Sequence, residues 1–116
     1  MHKYRDLKVW QRAMAFTITI YHESRAWPDS EKFGLISQIR RAATSIPLNI
    51  AEGAGEYAID EKIRFYRMAK RSATECAGIL DVCQRLELIG ENQYVTGREL
   101  LIRIVSMLIK MAQKNR

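Results

Sequence analysis

Apolar residues recur along this chain at intervals of three and four and nowhere alternate with a period of two, which predicts amphipathic α-helices and no sheet. The first periodic segment covers residues 6–27, with Leu7, Trp10, Met14, Thr17, Tyr21 and Ser24 at heptad-like spacing and Asp6 as a cap. Trp27-Pro28-Asp29-Ser30 ends it, because the residue before a proline avoids the helical region. Asp29 or Ser30 caps a second helix near 31–53, which stops at Gly53-Ala54-Gly55. Asp60 opens a third, near 60–88, whose core stripe is Tyr66, Ala69, Ala73, Cys76, Leu80 and Cys83. Gly90-Glu91-Asn92 reads as a turn and Thr96-Gly97-Arg98-Glu99 as a capping box opening the last helix, through about Lys114. The pattern predicts an all-α fold: one domain over residues 1–116, an antiparallel four-helix bundle with a Pro-kinked second helix.

The second helix carries two stripes. At about 100° per residue, Leu35, Ile39, Ala42, Ala43, Ile46 and Ile50 share one side, and Gln38, Arg41, Ser45, Asn49 and Glu52 share another. Pro47 removes a backbone donor and presses its ring on the Ala43 carbonyl, a cost of about 3 kcal/mol inside a helix. The apolar stripe stays in phase beyond it, which favours a kink over a break with Ser45 as a new cap. Three readings of the polar stripe stay open: solvated surface, an interhelical network, or a line that binds a ligand. Gln, Ser and Asn fix register at small desolvation cost, which favours the network.

The apolar faces are wider than the stripe of roughly 100° that an outer bundle helix needs. In the last helix Leu100, Leu101, Ile102, Ile104, Val105, Met107, Leu108, Ile109, Met111 and Ala112 cover most of the circumference. The first helix has a second edge of Val9, Phe16, Ile20 and Trp27. Surplus apolar surface marks an interface, so self-association into a homo-oligomer is expected.

Composition narrows the class. With 116 residues, 47% hydrophobic, the chain can bury a core of its own. There is no transmembrane run and no apolar signal region in Met1-His2-Lys3-Tyr4-Arg5-Asp6, so a cytoplasmic location is expected. Cys76 and Cys83, seven residues apart on one helix, lie too far apart to pair and read as core thiols. His2 and His22 have no ligand partners at suitable spacing, so neither a metal nor another cofactor is expected.

The net charge of +6 and pI of 9.6 make a polyanion a plausible partner. Arg64, Arg67 and Arg71, bordered by Lys70 and continued by Arg85, project opposite the core stripe of the third helix. Arg40 and Arg41 form a second candidate group, and Lys110, Lys114 and Arg116 a third. No interleaved aromatics and no helix-turn-helix accompany them, so contact with the nucleic-acid backbone, weakly sequence-specific and salt-sensitive, is the expected mode. The alternative is a solvated basic face, or one that docks an acidic protein. Phosphate loops, His-Glu-x-x-His helices and nucleophile elbows are absent, and the acidic group Glu52, Glu56, Asp60 and Glu61 has no histidine motif beside it. No enzymatic activity is expected.

Several stretches carry a family likeness. These are Tyr4-Arg5-Asp6-Leu7-Lys8-Val9-Trp10; Pro28, Glu31, Phe33, Gly34 and Leu35; Gln38 to Ala42, with Ser45, Ile46, Pro47, Asn49, Ala51, Glu52 and Gly53; and Phe65, Ala69, Ser72 and Glu75. Through them the chain resembles the four-helix-bundle proteins encoded in intervening sequences of bacterial large-subunit rRNA genes. Arg71 stands where that family often has glycine. The resemblance implies a left-handed antiparallel bundle that assembles as a homopentameric ring with a basic surface. The family is similar in turn to accessory proteins of diversity-generating retroelements, which implies RNA or DNA and a reverse transcriptase as partner classes. Together these observations lead to the expectation of a non-enzymatic, homo-oligomeric protein that binds nucleic acid or serves as an RNP accessory factor. A protein-interaction scaffold is the alternative.

Overall fold

The computed structural model describes residues 3–115; His2 and Arg116 lie outside the described residues. A 3-10 turn at Lys3–Asp6 leads into α1 (Lys8–Ser24), and a second at Asp29–Glu31 precedes α2 (Leu35–Ala54). Then follow α3 (Ile59–Arg85) and α4 (Glu91–Lys114), with no strand among the described residues. Each helix packs on the next in the chain, and α1 closes onto α4 through the least extensive of the helix–helix interfaces, giving an elongated four-helix bundle of 43 × 22 × 20 Å.

The core stripes of α2 and α3 lie where the pattern places them: Ile39, Ala42, Ala43, Ile46 and Ile50 face Tyr66, Ala69, Ala73, Cys76, Leu80 and Cys83 in the buried interior. Of the α1 stripe only Thr17 and Ser24 do. The buried side of α1 is Val9, Ala13, Phe16, Thr17, Ile20 and Ser24, so most of the edge read as surplus is the core. Leu7 and Trp10 are only partly buried, and Tyr21 is exposed. With two apolar edges, period alone fits either, and the bundle buries the one that carries Phe16 and Ile20. Trp27 joins this core from beyond the helix end.

Helix starts differ from expectation. Leu7, not Asp6, precedes α1, with no side-chain cap. Asp29 and Ser30 sit in the 3-10 turn, and α2 begins after Gly34, where Glu31 Oε1 accepts from the Leu35 N–H at 3.4 Å. The helix α4 begins at Glu91, not Thr96, and the Gly90 N–H donates to Gln93 Oε1 at 3.3 Å. Gly97 lies inside that helix because its missing side chain admits Leu80: a Cβ there would stand 2.9 Å from Leu80 Cδ1.

α2 runs unbroken through Pro47, so Ser45 does not cap a new helix. The Ala43 carbonyl loses its partner in the helix at residue 47, and α1 supplies another: Thr17 Oγ1 lies 3.0 Å from Ala43 O and 2.8 Å from Ala13 O. Near its end α2 comes close to α3. A Cβ on Gly53 would meet Tyr66 Cε1 at 2.7 Å, and the Lys62 ammonium donates to the Gly53 and Ala54 carbonyls at 2.9 and 3.3 Å.

Candidate nucleic-acid interface

Among the described residues only two ion pairs form, Arg64–Glu61 at 2.9 Å and Arg98–Asp81 at 3.5 Å. Apart from Arg64 and Arg98, the lysines and arginines among the described residues therefore carry no acidic partner. The basic residues Arg67, Lys70 and Arg71 of α3 border two different depressions.

Arg67 and Lys70 border a groove between α3 and α4, floored by Tyr66, Leu108 and Ile109. Arg71 instead turns toward α2, onto a depression of about 360 Å³ with Ser45, Asn49, Met68, Ser72 and Glu75. Arg64 is committed locally: its guanidinium donates to both Glu61 oxygens and lies 4.6 Å over the Phe65 ring. The hydrogen bond and charge of Glu61 raise the Arg64 pKa, and Arg64 in turn lowers that of Glu61.

The middle of the α2 polar stripe is an interhelical relay. Ser72 Oγ donates to Ser45 Oγ at 2.9 Å, and Asn49 Nδ2 donates to Ser45 Oγ and Ser45 O, each at 2.9 Å. Gln38, Arg41 and Glu52 at its flanks and ends are exposed. The stripe thus combines a fixed centre with free ends.

Arg40 and Arg41 part company although adjacent. Arg40 Nε donates to Ser24 Oγ at 2.9 Å and Nη2 to the Tyr21 carbonyl at 3.3 Å, while the guanidinium lies 4.7 Å over the Tyr21 ring. It closes the C-terminal turn of α1. Among the described residues Arg41 has neither hydrogen bond nor ion pair, and it opens onto a depression that also involves Tyr21, Lys32 and Phe33. Tyr21, Lys32 and Phe33 were not legible as site residues. Tyr21 lies on a different helix from Arg41, far from the other two in sequence, and only the α1–α2 turn gathers them.

Burial pushes the Cys76 thiol up to about 12 and the Cys83 thiol up to about 11, with the nearby Glu75 and Glu31 carboxylates adding to the effect. Neither is a thiolate at neutral pH. No group of acids, histidines and cysteines that could hold a metal forms among the described residues, and none of the helices they form is long and apolar enough to cross a membrane.

A strand-free bundle with a serine–asparagine relay between α2 and α3 and a largely unpaired set of surface cations defines a basic four-helix-bundle protein. The family model described as 23S rRNA-intervening sequence protein matches residues 5–110, and the chain belongs to that family. Among solved structures it is similar to a protein of unknown function from the S23 ribosomal protein family of Bacteroides thetaiotaomicron VPI-5482. The two share 25% identity with a TM-score of 0.81, over 90% of this chain and 97% of the other. No curated protein matches.

Proposed function

We propose that this protein is a non-enzymatic, homo-oligomeric nucleic-acid-binding or RNP accessory protein that contacts the phosphate backbone. The observation that carries the reading is the unpaired surface charge. Among the described residues Arg41, Arg67, Lys70 and Arg71 make no ion pair, and the chain carries +6 overall. Charges left free on several faces form a field that attracts a polyanion without selecting a sequence. Arg40 and Arg64, spent on internal contacts, contribute less.

Self-association is the second part of the proposal. A groove of about 420 Å³ between α3 and α4 is lined by Ala73, Ala77, Leu101, Ile102, Val105 and Ile109, with Ile102 61% exposed. A second copy of the chain covers it, in a pentamer if the family resemblance extends to assembly. Repeating weak basic sites around an oligomer raises avidity.

Binding of labelled RNA and DNA oligonucleotides, measured as salt is raised, tests the reading. With about four phosphates neutralised, affinity for duplex DNA falls roughly a hundredfold between about 50 and 200 mM salt. Replacing Arg67 and Lys70 by Ala weakens binding to all sequences and lowers the salt slope by about 1 for each phosphate no longer neutralised. An absence of binding at low salt defeats the proposal; binding to an acidic protein in its place favours the scaffold.

A further inference from the structure

We propose that the depression at the α1–α2 corner is a stacking site for the unpaired bases of single-stranded nucleic acid. This rests on the nucleic-acid reading above and specifies the form of polyanion taken and where its bases sit. Phe33 follows the 3-10 turn that precedes α2 and is 90% exposed, a poor place for a phenyl ring unless something covers it. Beside it Tyr21 is 40% exposed, and the two rings help line a depression of about 420 Å³. Arg40 and Lys32 lie over these rings, Arg40 at 4.7 Å from the Tyr21 centroid and Lys32 at 5.6 Å from that of Phe33. Arg40 is pinned by Ser24 Oγ and the Tyr21 carbonyl, so the Tyr21 side of the platform is preorganised. The Lys32 ammonium sits on a flexible stem and is free to move from ring to phosphate.

Aromatic rings and arginine planes are the surfaces on which unpaired bases stack, and cations between them neutralise the strand that joins those bases. Lys32, Arg40 and Arg41 line the depression and no carboxylate does. The nearby Glu31 directs Oε1 to the Leu35 N–H. This charge argues against a second copy of the same corner as occupant, since like cations would face one another, whereas the apolar α3–α4 groove has no such bar. Bases within a duplex are already stacked and cannot reach the rings, so the site selects single strands.

The test compares single-stranded RNA and DNA oligonucleotides with a DNA duplex of the same length, using the full chain at low salt. Phe33→Ala, at an exposed position, is expected to weaken single-strand binding roughly ten- to a hundredfold, the effect of one lost stacked base, and to leave duplex binding unchanged. Phe33→Trp restores single-strand affinity and adds an emission that the bound strand quenches. The two single-strand arms show whether a 2′-hydroxyl matters; equal affinities and RNA preference both agree with stacking. Unchanged single-strand affinity in Phe33→Ala, with duplex and single strand both weakened by Arg41→Ala, overturns the stacking site and leaves the backbone reading standing. Dissociation of the oligomer by Phe33→Ala overturns it in favour of a subunit contact. If no nucleic acid binds the unaltered protein, both proposals fall.

Discussion

Glu87 holds a φ of +58° just past the end of α3, the left-handed position that closes a helix and that glycine fills without strain. The closing bonds are in place: Leu88 N–H donates to Cys83 O at 2.9 Å, and Glu87 N–H to Gln84 O at 3.0 Å. The Glu87→Gly variant keeps both bonds and removes the strain, so it should raise stability by about 0.5–1 kcal/mol after the added freedom of the unfolded chain is counted, read as a shift in urea midpoint. Residues whose role is local in this way leave faint traces in sequence. Nothing in Leu86-Glu87-Leu88 advertises a helix end, and Gly97, which looks like one, is a packing glycine under Leu80. Arg40 and Arg41 look alike in sequence. Their environments separate them, because Ser24 and Tyr21 lie sixteen and nineteen positions away from Arg40.

α2 tolerates Pro47 because α1 answers it. Thr17→Val keeps the shape of the side chain but leaves the Ala43 carbonyl without its donor, at an expected cost of about 1–3 kcal/mol. With Pro47→Ala the restored N–H of residue 47 takes that carbonyl, so Thr17→Val should cost less in that background. A double-mutant cycle in urea measures the difference, and additive effects would mean that the two residues are not coupled. The existence and type of all four helices, and the inner faces of α2 and α3, were legible because their apolar periods are long and single. The face of α1 was not. Two apolar edges fit one period, and only burial in the shared core selects Phe16 and Ile20. Helix starts were misplaced wherever a polar residue with cap chemistry lay near the true end, as at Asp6, Asp29, Ser30 and Thr96.

At the scale of the molecule, the apolar groove between α3 and α4 is the face on which the proposed self-association rests, and the cations beside it are those on which the proposed polyanion contact rests. On the proposed self-association, Ile102→Glu with Ile109→Glu should give smaller species in sedimentation than the unaltered chain while the helical signal is kept, since both side chains are exposed in the single chain; an unaltered sedimentation profile would remove this groove as the interface. The buried thiols give a pH signature. Their pKa values rise from the ordinary 9.0 to about 12 and about 11, and burial raises that of Tyr66 too. A group whose folded pKa is raised contributes stability in full below its unfolded pKa. That contribution is lost as pH climbs toward the folded value. Stability should therefore be flat near neutrality in this respect and decline above about pH 9, with a shallower decline in Cys76→Ala, as urea midpoints across this range would show.

The order of apolar and polar residues by itself determined an all-helical chain, the inner faces of α2 and α3, the buried thiols and the excess of positive charge, because each follows from period or count. Tertiary structure decided which edge of α1 is core, what replaces the hydrogen bond missing at Pro47, and which arginines remain free. It also gathered Tyr21, Lys32, Phe33 and Arg41 at one corner. These depend on which distant side chain arrives beside which, and a one-dimensional pattern does not contain that distance.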